Sequence, residues 1–332
     1  MIPVDLVESV LKGERLALAR LITQVENHTL EGRRALDRLF SHTGRAHLVG
    51  ITGSPGAGKS SLVNQLAHAC RHPLDGSEPI RVGVVAVDPS SPFTGGAVLG
   101  DRVRMRDLAG DPGVFIRSMA SRGTLGGLSA STAAVVQVLD AAGYDMIFIE
   151  TVGAGQSEVD IARLAHTTIV VEAPGMGDDI QAIKAGILEI ADVLVVNKAD
   201  KIGVEHTERA LRAMLELSRP EPLRNMGGVP EDEPACWMPP ILRAISIDGT
   251  GIPEVVQAIH QHGLYLRSSG LWHQRDCERL EAELNNMIQA VLVDRWRGGL
   301  PEDFYKDVLD RLVNRKLSPF QAVDELAGSP AE

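Results

Sequence analysis

The sequence predicts a doubly wound α/β domain built on a mostly parallel sheet, with a helical segment before it and a helical arm after it. Three observations carry that expectation. From about residue 46, short β-branched runs alternate with helical patterns: HLVGIT, VGVVAVD, DMIFIE, TTIVVEA, VLVVNKAD and ILRAISI. The runs are nearly continuously apolar, not alternating, which suits strands covered on both faces of a parallel sheet. The first run also leads into GITGSPGAGKSSL, Gly50–Leu62, a glycine-rich turn before a helix, the kind of turn that bends a chain around an anion.

Taken in order, residues 1 to about 45 read as helical. Leu6, Val10, Leu11, Leu16, Leu18, Leu21 and Ile22 recur near three- and four-residue spacing, with arginines and glutamates between them. Helices are expected between the strands over Ser60–Cys70, Ser131–Ala142, Asp178–Ile190 and Glu205–Leu217. One connection breaks the rhythm. About 40 residues separate Asp88 from Ser129, against roughly 2–6 in an ordinary βα loop. After about residue 263 only helical patterns remain, with Leu280, Leu284, Met287, Ile288, Val291 and Leu292 forming an apolar face that suits an internal core or a dimer seam. The expected divisions are residues 1–45, 46–262 and 263–332.

Composition narrows the function. With 44% apolar and 23% charged residues the 332-residue chain is globular. A net charge of -11 argues against general nucleic-acid binding, which needs a basic footprint. Cys70, Cys236 and Cys277 are scattered, neither a disulfide framework nor a zinc knuckle, and fit a reducing cytoplasm. The start, MIPVDLVESVLKGE, lacks the basic region and apolar core of a signal peptide. No apolar stretch approaches the roughly 20 residues of a bilayer span. A cytoplasmic protein with no membrane partner is expected.

Gly53-x-x-x-x-Gly58-Lys59-Ser60 matches the Walker A phosphate loop, with a strand before it and a helix after it. Ser54, Pro55, Gly56, Ala57, Gly58, Lys59, Ser60 and Ser61 would line the phosphates. Lys59 would reach the β- and γ-phosphates, and the Ser60 hydroxyl would coordinate Mg²⁺. Downstream, VVNKAD ends a strand with Asn197, Lys198 and Asp200. An aspartate carboxylate accepts both N1–H and N2–H of guanine, a bidentate contact adenine cannot return. The lysine stem can lie along the purine, and the asparagine can tie this loop to the phosphate loop. A second loop, at Ser246 and Ile247, would bring a backbone N–H to guanine O6. Asp88 ends the second expected strand and Glu150 the third. Both therefore lie on the carboxyl edge of the sheet, placed with Ser60 for Mg²⁺, though Asp88 before Pro89 also suits a turn. Glu150-Thr151-Val152-Gly153 stands where other GTPases carry DxxG, with the Gly153 N–H able to sense the γ-phosphate. Ala154 follows, where Ras-like proteins have a water-positioning glutamine; Gln156 comes two residues later. Slow intrinsic turnover of GTP to GDP is expected. The arginines at 102, 104, 106, 117 and 122 are candidates for an arginine finger or plain loop arginines.

GSPGAGKSSL, VAVDPSSPFTGGAVLGDRVRM, GTLGGLS, IETVGAGQSEVD, PGMGDDIQAIKAG and VVNKAD together resemble the MeaB/ArgK family of P-loop GTPases, in the SIMIBI class. The resemblance implies a phosphate-loop GTPase domain, with GTP/GDP and Mg²⁺ as ligands. It implies that Asp101, otherwise a fitting helix cap, approaches the metal and joins Lys59 and Glu150 in catalysis. It further implies a third mobile loop, Pro174–Gly186, with Lys184 in its motif, and a C-terminal dimerisation arm giving a homodimer. The partner implied is a cobalamin-dependent acyl-CoA mutase of the methylmalonyl-CoA mutase type, together with a cobalamin adenosyltransferase. The chain would act as a chaperone gating cofactor loading or protection. Two other readings are a nickel or zinc metallochaperone GTPase, disfavoured by the lack of CxxC and of any histidine-rich tract, and a kinase linked to basic amino-acid transport.

Overall fold

The computed structural model describes residues 5–89, 105–108, 110–121, 130–151, 157–175, 188–218 and 236–328. The chain divides into two compact units, Met1–Arg279 and Leu280–Glu332.

The first unit opens with three helices, α1 (Leu6–Leu11), α2 (Arg15–Glu26) and α3 (Leu30–Leu39). Asp5 and Thr29 cap α1 and α3 by accepting from the Val7 and Gly32 amides at 3.0 Å each, which offsets donors a helix start leaves unpaired. Of the periodic apolar residues, Val10, Leu18, Leu21 and Ile22 are buried, together with Val7, in one cluster with Val135, Leu139, Ile147 and Ile161 of the central domain. Leu16, part of the same sequence pattern, is 65% exposed.

Seven strands follow: β1 (His47–Gly53), β2 (Val82–Pro89), β3 (Val114–Ser121), β4 (Met146–Thr151), β5 (Thr167–Glu172), β6 (Val193–Asn197) and β7 (Ile241–Ala244). Their order is β3-β2-β4-β1-β5-β6-β7, and every pairing is parallel. The helices of this unit are α4 (Lys59–Arg71), α5 (Ala130–Ala141), α6 (Ser157–Leu164), α7 (Val204–Ser218), α8 (Ile252–Ser268) and the first turns of α9 (Leu271–Gly299). Continuous apolar strands make sense here because successive side chains feed different cores. Ile147 and Ile149 of β4 join the cluster containing α5, whereas Met146 and Phe148 join the cluster of Leu62, Leu66, Val255 and Ile259 from α4 and α8.

The stretch expected as one long loop between Asp88 and Ser129 is corrected by the structure. It contains β3, an edge strand, and a short 3₁₀ turn at Arg106–Leu108. VFIRSMAS escaped notice because an edge strand need not be apolar throughout, and Arg117 and Ser118 interrupt it. Glu150 consequently lies one residue before the end of the fourth strand in chain order, not the third. Arg117 is not a loop arginine either. Its guanidinium is ion-paired with Glu26 of α2, one bond being Nε to Oε1 at 2.8 Å.

The amino ends of β1, β5 and β6 hold a polar cluster against α8 and the start of α9. Thr167 Oγ1 lies 2.7 Å from His47 Nε2 and 2.8 Å from His262 Nδ1. His262 Nε2 faces Asp192 at 3.3 Å, and Arg275 donates to both Asp192 oxygens at 2.9 Å. The Leu48 amide donates to His166 Nδ1 at 3.1 Å, so that ring keeps its proton on Nε2, 3.1 Å from Asp276. By the same logic His262 donates to Asp192 and accepts from Thr167, which accepts from His47. Trp272 stacks on His166 at 3.9 Å. Burial pushes the His262 ring down to about 4, partly opposed by Asp192. Burial likewise lowers His166 and, more strongly, His47.

The second unit carries the remainder of α9, α10 (Glu302–Val313) and α11 (Pro319–Ala327). Ser318 and Gln321 form a capping box on α11, and Arg311 pairs bidentately with Glu325 at 2.9 Å. Trp296 Nε1 donates to the Leu326 carbonyl at 2.7 Å. Leu284, Met287, Ile288, Val291 and Leu292 remain 46–58% exposed. Among the described residues no helix is long and apolar enough to cross a membrane.

Candidate functional site

The carboxyl edge of the sheet gathers the loops that the motifs marked. β1 runs buried to Gly53, and α4 begins at Lys59. Two glycines between them are obligatory for different reasons. At Gly53 (φ +128°) a Cβ would come within 2.1 Å of the Val171 carbonyl oxygen on the neighbouring strand. At Gly58 (φ +93°) it would come within 2.5 Å of Asn197 Nδ2. The loop therefore lies directly on β5 and β6, and only hydrogen fits at those contacts.

Lys59 is 6% exposed, and its ammonium donates to the Gly53 carbonyl at 2.8 Å and the Ser54 carbonyl at 3.1 Å. Two carbonyls thus help to fix the cation inside the loop. Ser60 Oγ donates to Glu150 Oε1 at 2.6 Å, both residues buried. Ala57 is fully buried, its amide turning back to the Ser54 carbonyl at 3.1 Å. Pro55 and Gly56 are exposed, and Ser61 is half-buried on the first turn of α4.

The NKAD loop is bolted to this cradle. Asn197, 1% exposed, donates through Nδ2 to the Ala57 carbonyl at 2.8 Å. Its Oδ1 accepts from the Ser246 amide at 3.1 Å and the Ser246 hydroxyl at 2.8 Å. One side chain therefore joins the phosphate loop, the strand end of β6 and the loop after β7. Lys198 takes a left-handed backbone (φ +56°) and donates to the Gly56 carbonyl at 2.6 Å. The Ala199 amide reaches the Ala244 carbonyl at 3.1 Å, so the loop follows β7. Asp200 is exposed beyond it, and Ile247 is 87% exposed beside Ser246.

Asp88 lies at the end of β2, in register with Ala120 of β3; its side chain is outside the described residues. Asp101, Gly153, Ala154, Gln156, Lys184 and the arginines at 102, 104 and 122 also lie outside them, as does the side chain of Arg106 and the 174–186 loop beyond Gly175. One residue at this edge escaped the sequence reading. Glu172, which ends β5 and is 3% exposed, accepts from Ser54 Oγ at 2.8 Å. Its signal was an acid near the end of TTIVVEA, as Asp88 and Glu150 stand near the ends of their strands.

Among the described residues no group of three or more histidine, cysteine or acidic side chains is arranged to hold a metal ion, so no all-protein cage for a soft metal is formed there. The donor set at Ser60 and Glu150 is oxygen only. That fits Mg²⁺, which prefers hard oxygens and completes its shell with substrate phosphates and water.

A family model described as Methylmalonyl Co-A mutase-associated GTPase MeaB matches residues 18–300. A protein of Pyrococcus horikoshii is 44% identical over 325 residues, covering 98% of this chain and 97% of its own. The Escherichia coli GTPase ArgK is 36% identical over 321 residues, 95% of this chain and 93% of its own. The mitochondrial methylmalonic aciduria type A homolog of Caenorhabditis elegans is 31% identical over 305 residues, 87% of this chain and 72% of its own. Among solved structures, the crystal structure of an LAO/AO transport system kinase superposes with a TM-score of 0.69 at 28% identity, covering 98% and 96% of the two chains.

Proposed function

This chain belongs to the methylmalonyl-CoA mutase-associated GTPase family and is a GTPase, and from that premise we propose that it is a nucleotide-driven switch guarding a cobalamin-dependent acyl-CoA mutase. The observation that carries the reading is Asn197, whose one side chain holds the phosphate loop and both expected base-reading loops together. A site so joined reports base and phosphate occupancy as one event.

In this reading Lys59 neutralises charge on the β- and γ-phosphates while Gly53 and Ser54 keep it aimed. The amides from Ser54 to Ser61 cradle the phosphates at the start of α4. Asp200 accepts guanine N1–H and N2–H, Lys198 lies along the ring, and the main chain at Ser246 and Ile247 meets O6. Ser60, Asp88, Asp101 and Glu150 would hold Mg²⁺, which when bound offsets negative charge on the transferring phosphoryl group. Hydrogen bonding of Ser60 to Glu150 keeps both oxygens at one point. Gly153 senses the γ-phosphate, and because Ala154 cannot orient water, turnover is slow until a partner or second copy completes the site.

The partner is of the methylmalonyl-CoA mutase type, supported by the family description and by the name of the nematode relative. A cobalamin adenosyltransferase joins it, so that nucleotide state gates cofactor loading or protection. The exposed apolar residues of α9 supply the seam of a homodimer. Affinity capture from native cytosol with GDP and with a non-hydrolysable GTP analogue tests the proposal. Nucleotide-dependent recovery of an acyl-CoA mutase supports it. Recovery of a nickel-enzyme maturation complex instead would replace it.

A further inference from the structure

Resting on the reading of this edge as a nucleotide site, we propose that Glu172 is a positioning residue that tunes how tightly the phosphate loop holds its nucleotide. Two facts carry this. First, the residue is bonded to the loop itself. Ser54 Oγ donates to Glu172 Oε2 at 2.8 Å, and the Ser54 carbonyl is one of the two that hold the Lys59 ammonium. The carboxylate, Ser54 and the lysine thus form one unit. Second, Glu172 is 3% exposed, and the adjoining residue of β5, Val171, is the one against which Gly53 is pressed. Water cannot screen the carboxylate as it would on the surface.

A buried carboxylate beneath an anion-binding loop has two opposed effects. Its hydrogen bond fixes the first turn of the loop, which favours phosphate binding through preorganisation. Its negative charge subtracts from the field that Lys59 and the start of α4 present, which disfavours the same phosphates. A nucleotide switch that must release its product gains from the second effect. Strong preorganisation alone would trap GDP.

The two effects separate by substitution. Glu172→Gln keeps an oxygen that accepts from Ser54 and removes the charge. Glu172→Ala removes both, and Ser54→Ala removes the bond while leaving the charge. Titration calorimetry on the full chain with GTP, GDP and ATP, at fixed magnesium and salt, reads the result. Glu172→Gln should bind GDP on the order of tenfold more tightly, and GTP by a larger factor because it carries more charge. Glu172→Ala should also tighten, by less, and Ser54→Ala should weaken binding. Either Glu172 variant carries the test if the other fails to fold. A merely structural role lowers the melting temperature and cannot strengthen binding, so unchanged or weaker affinity in the folded Glu172 variants overturns the proposal. A wild-type chain that prefers ATP would instead remove the guanine assignment, and the Glu172 comparison would then be read on ATP. Binding of neither nucleotide overturns both.

Discussion

At the carboxyl ends of β1, β5 and β6, side chains bond mainly to main-chain carbonyls. Lys59, Asn197 and Lys198 each donate to the phosphate loop in this way. At the amino ends of the same three strands, side chains bond mainly to one another, through His47, Thr167, His262, Asp192 and Arg275. The backbone differs as well. Positive φ angles collect at the first edge, at Gly53, Gly56, Gly58 and Lys198, and the amino-end residues just named have none. One edge spends its side chains shaping amides around a ligand's place. The other closes its polar groups upon themselves, anchoring α8 and the root of α9. A shared sheet can thus carry a binding edge and a fastening edge, and what distinguishes them is where their hydrogen bonds end.

The sharpest way to break the binding edge alone is Lys59→Ala. GTP hydrolysis, followed by phosphate release, should fall about a thousandfold, while the amino-edge cluster stays intact. A loss under tenfold would remove the lysine from the chemistry. Acid attacks the other edge. His262 is held down to about 4 against an ordinary 6.5, chiefly by burial, so between those values the unfolded chain binds a proton the folded chain refuses. Stability is therefore full above about pH 6.5 and falls as pH drops toward 4, by about 3 kcal/mol for this ring. His47 and His166, lowered in the same direction, add to the loss. Urea unfolding at pH 7 and pH 4.5 measures it, and equal midpoints would mean the rings titrate freely.

Arg275→Met tests the fastening edge by substitution. It leaves the mostly buried Asp192 carboxylate without its bidentate partner and should cost about 2 kcal/mol. GTP hydrolysis per folded molecule should stay within about twofold of wild type if the two edges are independent. A large loss of hydrolysis at unchanged stability would show that they communicate. The smallest expected effect is Asp200→Asn, which should reduce GTP affinity by about tenfold and admit xanthine nucleotides. Competition binding reads both, and an unchanged preference for guanine would move the base-reading role elsewhere.

The two edges also differed in how far they could be read in advance. GSPGAGKSS and NKAD were legible because each is contiguous, and its chemistry depends on backbone geometry that nearby residues impose. Five strands were legible because a strand buried on both faces must be apolar along its length, and β7, at the sheet's other edge, was legible from the mostly apolar run ILRAISI despite Arg243. β3 was not, since an edge position tolerates Arg117 and Ser118. The histidine cluster carries no motif at all: His47 and Thr167 stand 120 positions apart, and Thr167 and His262 95. Glu172 was visible only as an acid at a strand end, and its bond to Ser54 spans 118 positions.

By itself, then, the order of residues determined the class of fold, the glycine turn into α4 and the NKAD loop after β6. Those are settled by local conformational preference and by whether a segment is buried, and both are written in neighbouring side chains. The tertiary structure alone decided which distant groups became partners: Arg117 with Glu26, Ser54 with Glu172, three histidines with one threonine and two aspartates. Polar pairing is specified by distance and direction to about an ångström, and periodicity along a chain records that a side chain is buried without recording what it meets.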